Sequence, residues 1–95
     1  MKQKEINETI QKIKLNHKYR KEIFNNYDSK TKSAILFRLN SNTRTNLINS
    51  QTCDEIVKIL QNLDPDDATQ MIRLLSSKKQ KLAIKGLEEK LQESV

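Results

Sequence analysis

The sequence predicts an all-α fold, a solenoid-like stack of about six to seven short helices. Three observations predict it. The 95 residues hold one glycine and one proline, too few for the turns of a β protein. Apolar residues recur at helical spacing, as Ile6, Ile10 and Ile13 do. A mark that closes one helix and opens the next also recurs. Its clearest copy is Leu63-Asp64-Pro65-Asp66-Asp67, with weaker copies at Tyr27-Asp28-Ser29, Leu39-Asn40-Ser41 and Leu75-Ser76-Ser77. In the clearest copy the Asp64 carboxylate can accept the orphan N–H groups of a first turn. Pro65 suits the first helical position, where no N–H is needed. Asp66 and Asp67 put negative charge at the positive end of the helix dipole.

The first helix is expected over about 3–15, with one narrow buried face of Ile6, Ile10 and Ile13, and a break at Asn16-His17. The second covers about 17–26, with Tyr19, Ile23 and Phe24 on one side and a turn-rich end at Asn25-Asn26-Tyr27-Asp28. The third opens near Ser29. Its run Ala34-Ile35-Leu36-Phe37 covers more than one face, so it is expected to be packed on both sides. The fourth, about 41–49, carries Leu47 and Ile48. Thr43 and Thr45 lower its intrinsic propensity, so it must rely on packing.

The fifth opens at Thr52-Cys53-Asp54-Glu55. This is a capping-box pattern, in which Glu55 reaches back to the Thr52 N–H. Ile56, Val57, Ile59, Leu60 and Leu63 give it the broadest apolar surface. The sixth runs from Pro65 to about Leu75, with Ala68, Met71, Ile72, Leu74 and Leu75. The seventh begins at Ser77 or Lys78 and reaches about Glu93, with Leu82, Ile84, Leu87 and Leu91 as its apolar positions. Gly86 marks a place where another helix comes close. Glu88, Glu89 and Glu93, beside Lys85 and Lys90, read as a solvated face.

The elements repeat. Leu47-Ile48 and Met71-Ile72 lie 24 residues apart, as do Asn40-Ser41 and Asp64-Pro65. Val57 and Leu60 align with Ile84 and Leu87 at 27, so residues 41–64 and 65–91 read as two copies with slight drift. The elementary unit is one helix plus a turn, about 12 residues. Each helix is too short to be stable alone, and stacking lets neighbours share a core.

One domain is the most that 95 residues make. The N-terminal helices, 1–27, lie outside the clear repeat, which occupies 28–91. No apolar run reaches the length of a membrane span, and no apolar segment of signal-peptide type follows Met1. Cys53 is the single cysteine, which excludes an internal disulfide. One glycine excludes a phosphate-binding loop. His17 has no carboxylate at helical spacing, and no nucleophile–base pair is visible, so the chain is not expected to be an enzyme. The net charge of +6 is uneven: residues 1–50 carry +7 and residues 51–95 carry −1. The basic half raises nucleic acid and anionic lipid as partners. No tight arginine cluster appears, and the main expectation is a solvated face without nucleic acid.

Leu60-Gln61-Asn62-Leu63-Asp64-Pro65-Asp66-Asp67-Ala68, followed by Met71-Ile72-Arg73-Leu74-Leu75-Ser76, resembles the repeat of the cytosolic N-terminal domain of MgtE magnesium transporters and channels. The similarity covers roughly 28–91. It implies a right-handed superhelix placed ahead of paired CBS domains and a transmembrane pore. It also implies a regulatory role: Mg²⁺ bound between the N and CBS domains favours the closed channel, and the N domain swings away when Mg²⁺ is scarce. The ion acts as a linkage switch because it stabilises only the compact state.

Carried over residue by residue, the family's acidic positions fall at Asp66, at Gln70 and at about Ala34. Only Asp66 keeps a carboxylate, and Asp64 and Asp67 stand beside it. Helix capping and dipole complementarity explain all three aspartates without metal. The expectation is therefore a regulatory domain on the cytoplasmic side of a membrane, docking on CBS domains of its own transporter and dimeric only through that parent. Mg²⁺ would be weakly held and shared. Ending at Val95, the chain reads as an excised piece. A FliG-like or free-standing helical scaffold is the alternative. A basic nucleic-acid or lipid-binding module is the third reading.

Overall fold

The computed structural model describes residues 3–93, with side chains over 4–89. Among the described residues the helices are α1 (Gln3–Leu15), α2 (Arg20–Asn25), α3 (Ser29–Leu36), α4 (Ser41–Asn49), α5 (Cys53–Gln61), α6 (Pro65–Leu74) and α7 (Ser77–Glu93). No strand occurs among the described residues.

The helices start on a strict count. The residues preceding α3 to α7 are Asp28, Asn40, Thr52, Asp64 and Ser76, twelve apart each time. In four of them a side-chain oxygen accepts a first-turn N–H. Asp28 Oδ1 takes Thr31 N–H at 2.8 Å, Asn40 Oδ1 takes Thr43 N–H at 2.9 Å, Thr52 Oγ1 takes Glu55 N–H at 3.2 Å and Ser76 Oγ takes Lys79 N–H at 3.4 Å. The Thr31 N–H bond holds the Asp28 carboxyl below its ordinary value.

The core keeps the same count. Ile35, Leu47, Ile59, Met71 and Ala83 are all buried, one per helix from α3 to α7. Leu36, Ile48 and Leu60, one position on, are buried as well. Twelve residues before Ile35 and Leu36 lie half-buried Ile23 and fully buried Phe24, so α2 joins the repeat.

The helices end without glycine. No described residue has positive φ. The last turns instead tighten into bonds three residues back, such as Arg38 N to Ile35 O at 3.0 Å and Asn62 N to Ile59 O at 3.1 Å. Cationic side chains then satisfy several of the remaining carbonyls at the ends of α1, α3 and α4. Arg44 donates to Leu36 O at 2.8 Å, Leu39 O at 2.9 Å and Phe37 O at 3.3 Å. Arg20 Nε donates to Ile13 O at 3.1 Å. Lys79 Nζ donates to Asn49 O and to Gln51 O. Three of the basic residues are thus structural caps at helix C-termini, where the dipole favours them.

The helices stack in alternation. α1 packs on α3, α3 on α5 and α5 on α7, while α4 packs on α6. The molecule is elongated, 40 × 28 × 21 Å. α5 and α7 approach closely at Val57 and Gly86. A Cβ placed on Gly86 would lie 2.7 Å from Val57 Cγ2, so only glycine fits there without movement.

Several expectations are corrected. The second helix opens at Arg20, not 17, and Tyr19 is half exposed rather than on the buried side. Ala34 faces solvent. The buried face of α3 instead runs Lys32, Ser33, Ile35 and Leu36, and the helix still packs against α1, α4 and α5. In α7, Leu82 and Ile84 are 42% and 43% exposed, and Ala83 is buried in their place. The strict count of twelve pairs Met71 with Ala83, whereas the alignment at 27 pairs Val57 with the exposed Ile84 and Leu60 with Leu87, which does pack against the core. Leu91 and the pairing of Lys90 with Glu93 lie outside the described side chains.

Candidate docking surface and ion site

Asp64 has the extended backbone of a helix-preceding residue, φ −63° and ψ 155°, and its carbonyl accepts Ala68 N–H at 2.8 Å. Its carboxylate, however, makes no capping hydrogen bond. This corrects the expected capping role. Pro65 supplies no N–H, and α6 starts on backbone geometry alone. Asp64 and Asp66 are exposed and Asp67 is half-buried. The acidic start of α6 thus presents carboxylates that the fold does not consume as caps.

Gln70 and Ala34, the other two positions carried over from the resemblance, are also exposed. The fold leaves all three positions at the surface, but one of them offers a charged oxygen. Among the described residues no group of three or more histidine, cysteine, aspartate or glutamate side chains converges to hold a metal ion. Mg²⁺ demands an octahedron of oxygens, keeps several waters and uses one or two carboxylates. Asp66 stands at the surface with Asp64 and Asp67 beside it in sequence.

A second polar constellation, which the sequence reading missed, lies where α2, α3 and α5 meet the α4–α5 turn. Lys32 is buried. Its Nζ donates to Gln51 Oε1 at 2.9 Å and to Glu55 Oε1 at 3.2 Å, and sits 5.4 Å from the Phe24 ring centroid. Ser29 Oγ donates to the same Glu55 oxygen at 3.0 Å, and Gln51 Nε2 donates to Asn25 Oδ1 at 3.0 Å. Asn25, Lys32, Gln51 and Glu55 border a pocket of about 250 Å³.

Burial pushes the Glu55 pKa up, but the Lys32 and Ser29 hydrogen bonds, with the Lys32 and Lys58 charges, outweigh it and leave the carboxyl below its ordinary 4.5. The expected reach of Glu55 back to Thr52 is replaced by this cross-helix engagement. Among the described residues every buried side-chain polar atom has a hydrogen-bond partner. A satisfied network of this kind fixes how α3 and α5 sit on each other. The signal was present in the repeat. Gln51 occupies the position of Leu39 and Leu75, and a polar residue in a buried column needs a polar partner.

His17 Nδ1 meets Arg20 Nη2 at 3.1 Å. Cys53 is a half-buried free thiol in the first turn of α5. No described helix is long and apolar enough to cross a membrane.

The family model of the MgtE intracellular N domain matches residues 1–95. The match includes residues 1–27, where the repeat phrase was not legible, as well as 28–91. No curated protein and no solved structure matches the chain. The chain therefore belongs to the MgtE intracellular N-domain family, a non-catalytic regulatory domain of magnesium transporters.

Proposed function

We propose that the domain docks on the CBS domains of its own transporter, on the cytoplasmic side of the membrane, and that this docking gates transport in response to Mg²⁺. The observation that carries the reading is the family match over the whole chain. The acidic start of α6 supports it, because Asp64 and Asp66 are exposed and Asp64 is not used as a cap. The stack winds as a right-handed superhelix, its hand being what the family resemblance implies, while the contacts of α1 with α3, α3 with α5, α5 with α7 and α4 with α6 support a stacked, solenoid-like arrangement. Pairing of two copies occurs only through the parent protein.

When bound, a shared Mg²⁺ would supply positive charge between two acidic surfaces. Asp66 is the carboxylate this chain contributes, with Asp64 and Asp67 beside it. The excess of cations in residues 1–50 gives a second, ion-independent attraction to an acidic partner. Mg²⁺ dependence is accordingly modest, since one carboxylate replaces three.

Isothermal titration calorimetry of the domain against the paired CBS fragment, at low and high Mg²⁺, tests the reading. Binding is expected in both conditions, tighter at high Mg²⁺, with Asp66→Asn removing the difference. Absence of binding at every Mg²⁺ concentration would refute it and favour a helical scaffold for another protein.

A further inference from the structure

We infer that the turn between α1 and α2 is a contact site for an anionic lipid surface, with an adjacent groove that takes a headgroup phosphate. The inference is independent of docking on CBS domains. Residues 12–21 hold Lys12, Lys14, Lys18, Arg20 and Lys21 and no aspartate or glutamate, Glu8 and Glu22 being the flanking acids. Within this cationic segment stand two of the exposed large apolar side chains, Leu15 at 76% and Tyr19 at 50%. Neither position belongs to the core stripe of α1 or α2. Lys18 Nζ lies 5.5 Å from the Tyr19 ring centroid, so charge and aromatic face are presented together. Apolar tips among lysines are what an interfacial contact needs: the tips enter the headgroup boundary while the cations meet anionic lipids.

The groove is a second, separate observation. It has a volume of about 390 Å³ and is lined by His17, Lys18, Arg20, Lys21, Asn46 and Leu47, with no carboxylate. Its central cation is held in place. Arg20 Nε is fixed on Ile13 O at 3.1 Å and Nη2 on His17 Nδ1 at 3.1 Å. Arginine only donates, so His17 Nδ1 is the acceptor of this bond. A guanidinium with five N–H donors keeps others for a phosphate after those two bonds. Asn46 adds an amide from α4. The arrangement presents donors to an anion within the same segment that exposes the apolar Leu15 and Tyr19 side chains, which favours a lipid over a free anion or an acidic protein.

Cosedimentation of the full chain with phosphatidylcholine vesicles, with and without phosphatidylglycerol, tests this. Binding is expected only with the anionic lipid, and it should weaken with salt. Lys18→Gln with Lys21→Gln should lower partitioning roughly 25-fold, about fivefold per charge. Leu15→Ser with Tyr19→Ser should lower it as well. Lys78→Gln with Lys81→Gln, an equal change of charge on exposed α7 residues, should leave binding within about twofold of the value that general charge screening allows. All four replaced positions of the turn are exposed, and far-UV circular dichroism confirms that the variants fold. Absence of binding to anionic vesicles, equal loss with the α7 pair, or no effect of the Leu15 and Tyr19 changes would each overturn the inference. Amide shifts at His17–Lys21 with inorganic phosphate, in a chain that ignores vesicles, would reassign the groove to a soluble phosphate ligand.

Discussion

Gly86→Ala is the substitution whose sign depends most directly on the packing of α5 against α7. In an open helix, alanine in place of glycine stabilises by about 1 kcal/mol. Here the added Cβ would meet Val57 Cγ2 at 2.7 Å. Val57 is buried and β-branched, with one strongly preferred rotamer in a helix, so it cannot swing aside at low cost. Overpacking of this kind costs about 1–3 kcal/mol. The clash outweighs the propensity gain, and the expected net effect is a loss of about 1 kcal/mol. Val57→Ala alone removes two buried methyl equivalents and costs about 2 kcal/mol. In that background the methyl introduced by Gly86→Ala enters vacated space, and the second change is expected to stabilise by about 1 kcal/mol. The cycle therefore carries a coupling of about 2 kcal/mol. Urea unfolding of the four proteins by far-UV circular dichroism measures it. Stabilisation by Gly86→Ala with Val57 present, or additivity across the cycle, would refute the close approach.

Other consequences can be checked in the same assay. Ile59→Ala empties the middle of the core column, where the side chain is fully buried, and should cost about 2–5 kcal/mol. Arg44→Ala removes the guanidinium from three carbonyls at the end of α3 and from above the Phe37 ring. A loss of about 1–3 kcal/mol is expected, against about 0.5 kcal/mol or less for an exposed residue without such contacts, such as Lys78. Acid unfolding should report Glu55. Its folded pKa is depressed, so its contribution is complete above the ordinary 4.5 and is lost as pH falls through the lower folded value. Glu55→Gln should flatten stability against pH in that window, and an unchanged slope would contradict the Lys32–Glu55 pair.

The helices were legible because their punctuation is local chemistry. A short polar residue before each helix and an apolar pair within it suffice to place α3 to α6 within a residue or two. The failures arise where tertiary packing decides. Leu82 and Ile84 are the larger apolar residues of α7, yet the close approach at Gly86 admits only the small Ala83 beside it. Hydrophobicity named the exposed Leu82 and Ile84 along with the half-buried Leu87, and the twelve-residue count places Ala83 in the column of Met71 but would also place Ile84 in that of Leu60, so packing decides between them. Lys32 and Gln51 were missed for the opposite reason: each is polar, and although Gln51 stands in a buried column of the repeat, only the fold brings Asn25 and Glu55 to them. Asp64 was legible as a helix start, but not that its carboxylate would stay out of the cap. For the candidate ion site the family resemblance named the positions, Ala34, Asp66 and Gln70, and the structure places all three at the surface. A site completed by a partner's oxygens leaves no fuller trace in one chain than a carboxylate at its surface.

The central claim, a domain that docks through the acidic start of α6, is tested most directly by ¹⁵N NMR. The domain is titrated with Mg²⁺ alone, with the CBS fragment alone and with both. Amide shifts around Asp64–Gln70 are expected when the CBS fragment is present, larger with Mg²⁺ and small with Mg²⁺ alone. A CBS fragment that leaves those amides unmoved, with or without Mg²⁺, would contradict it.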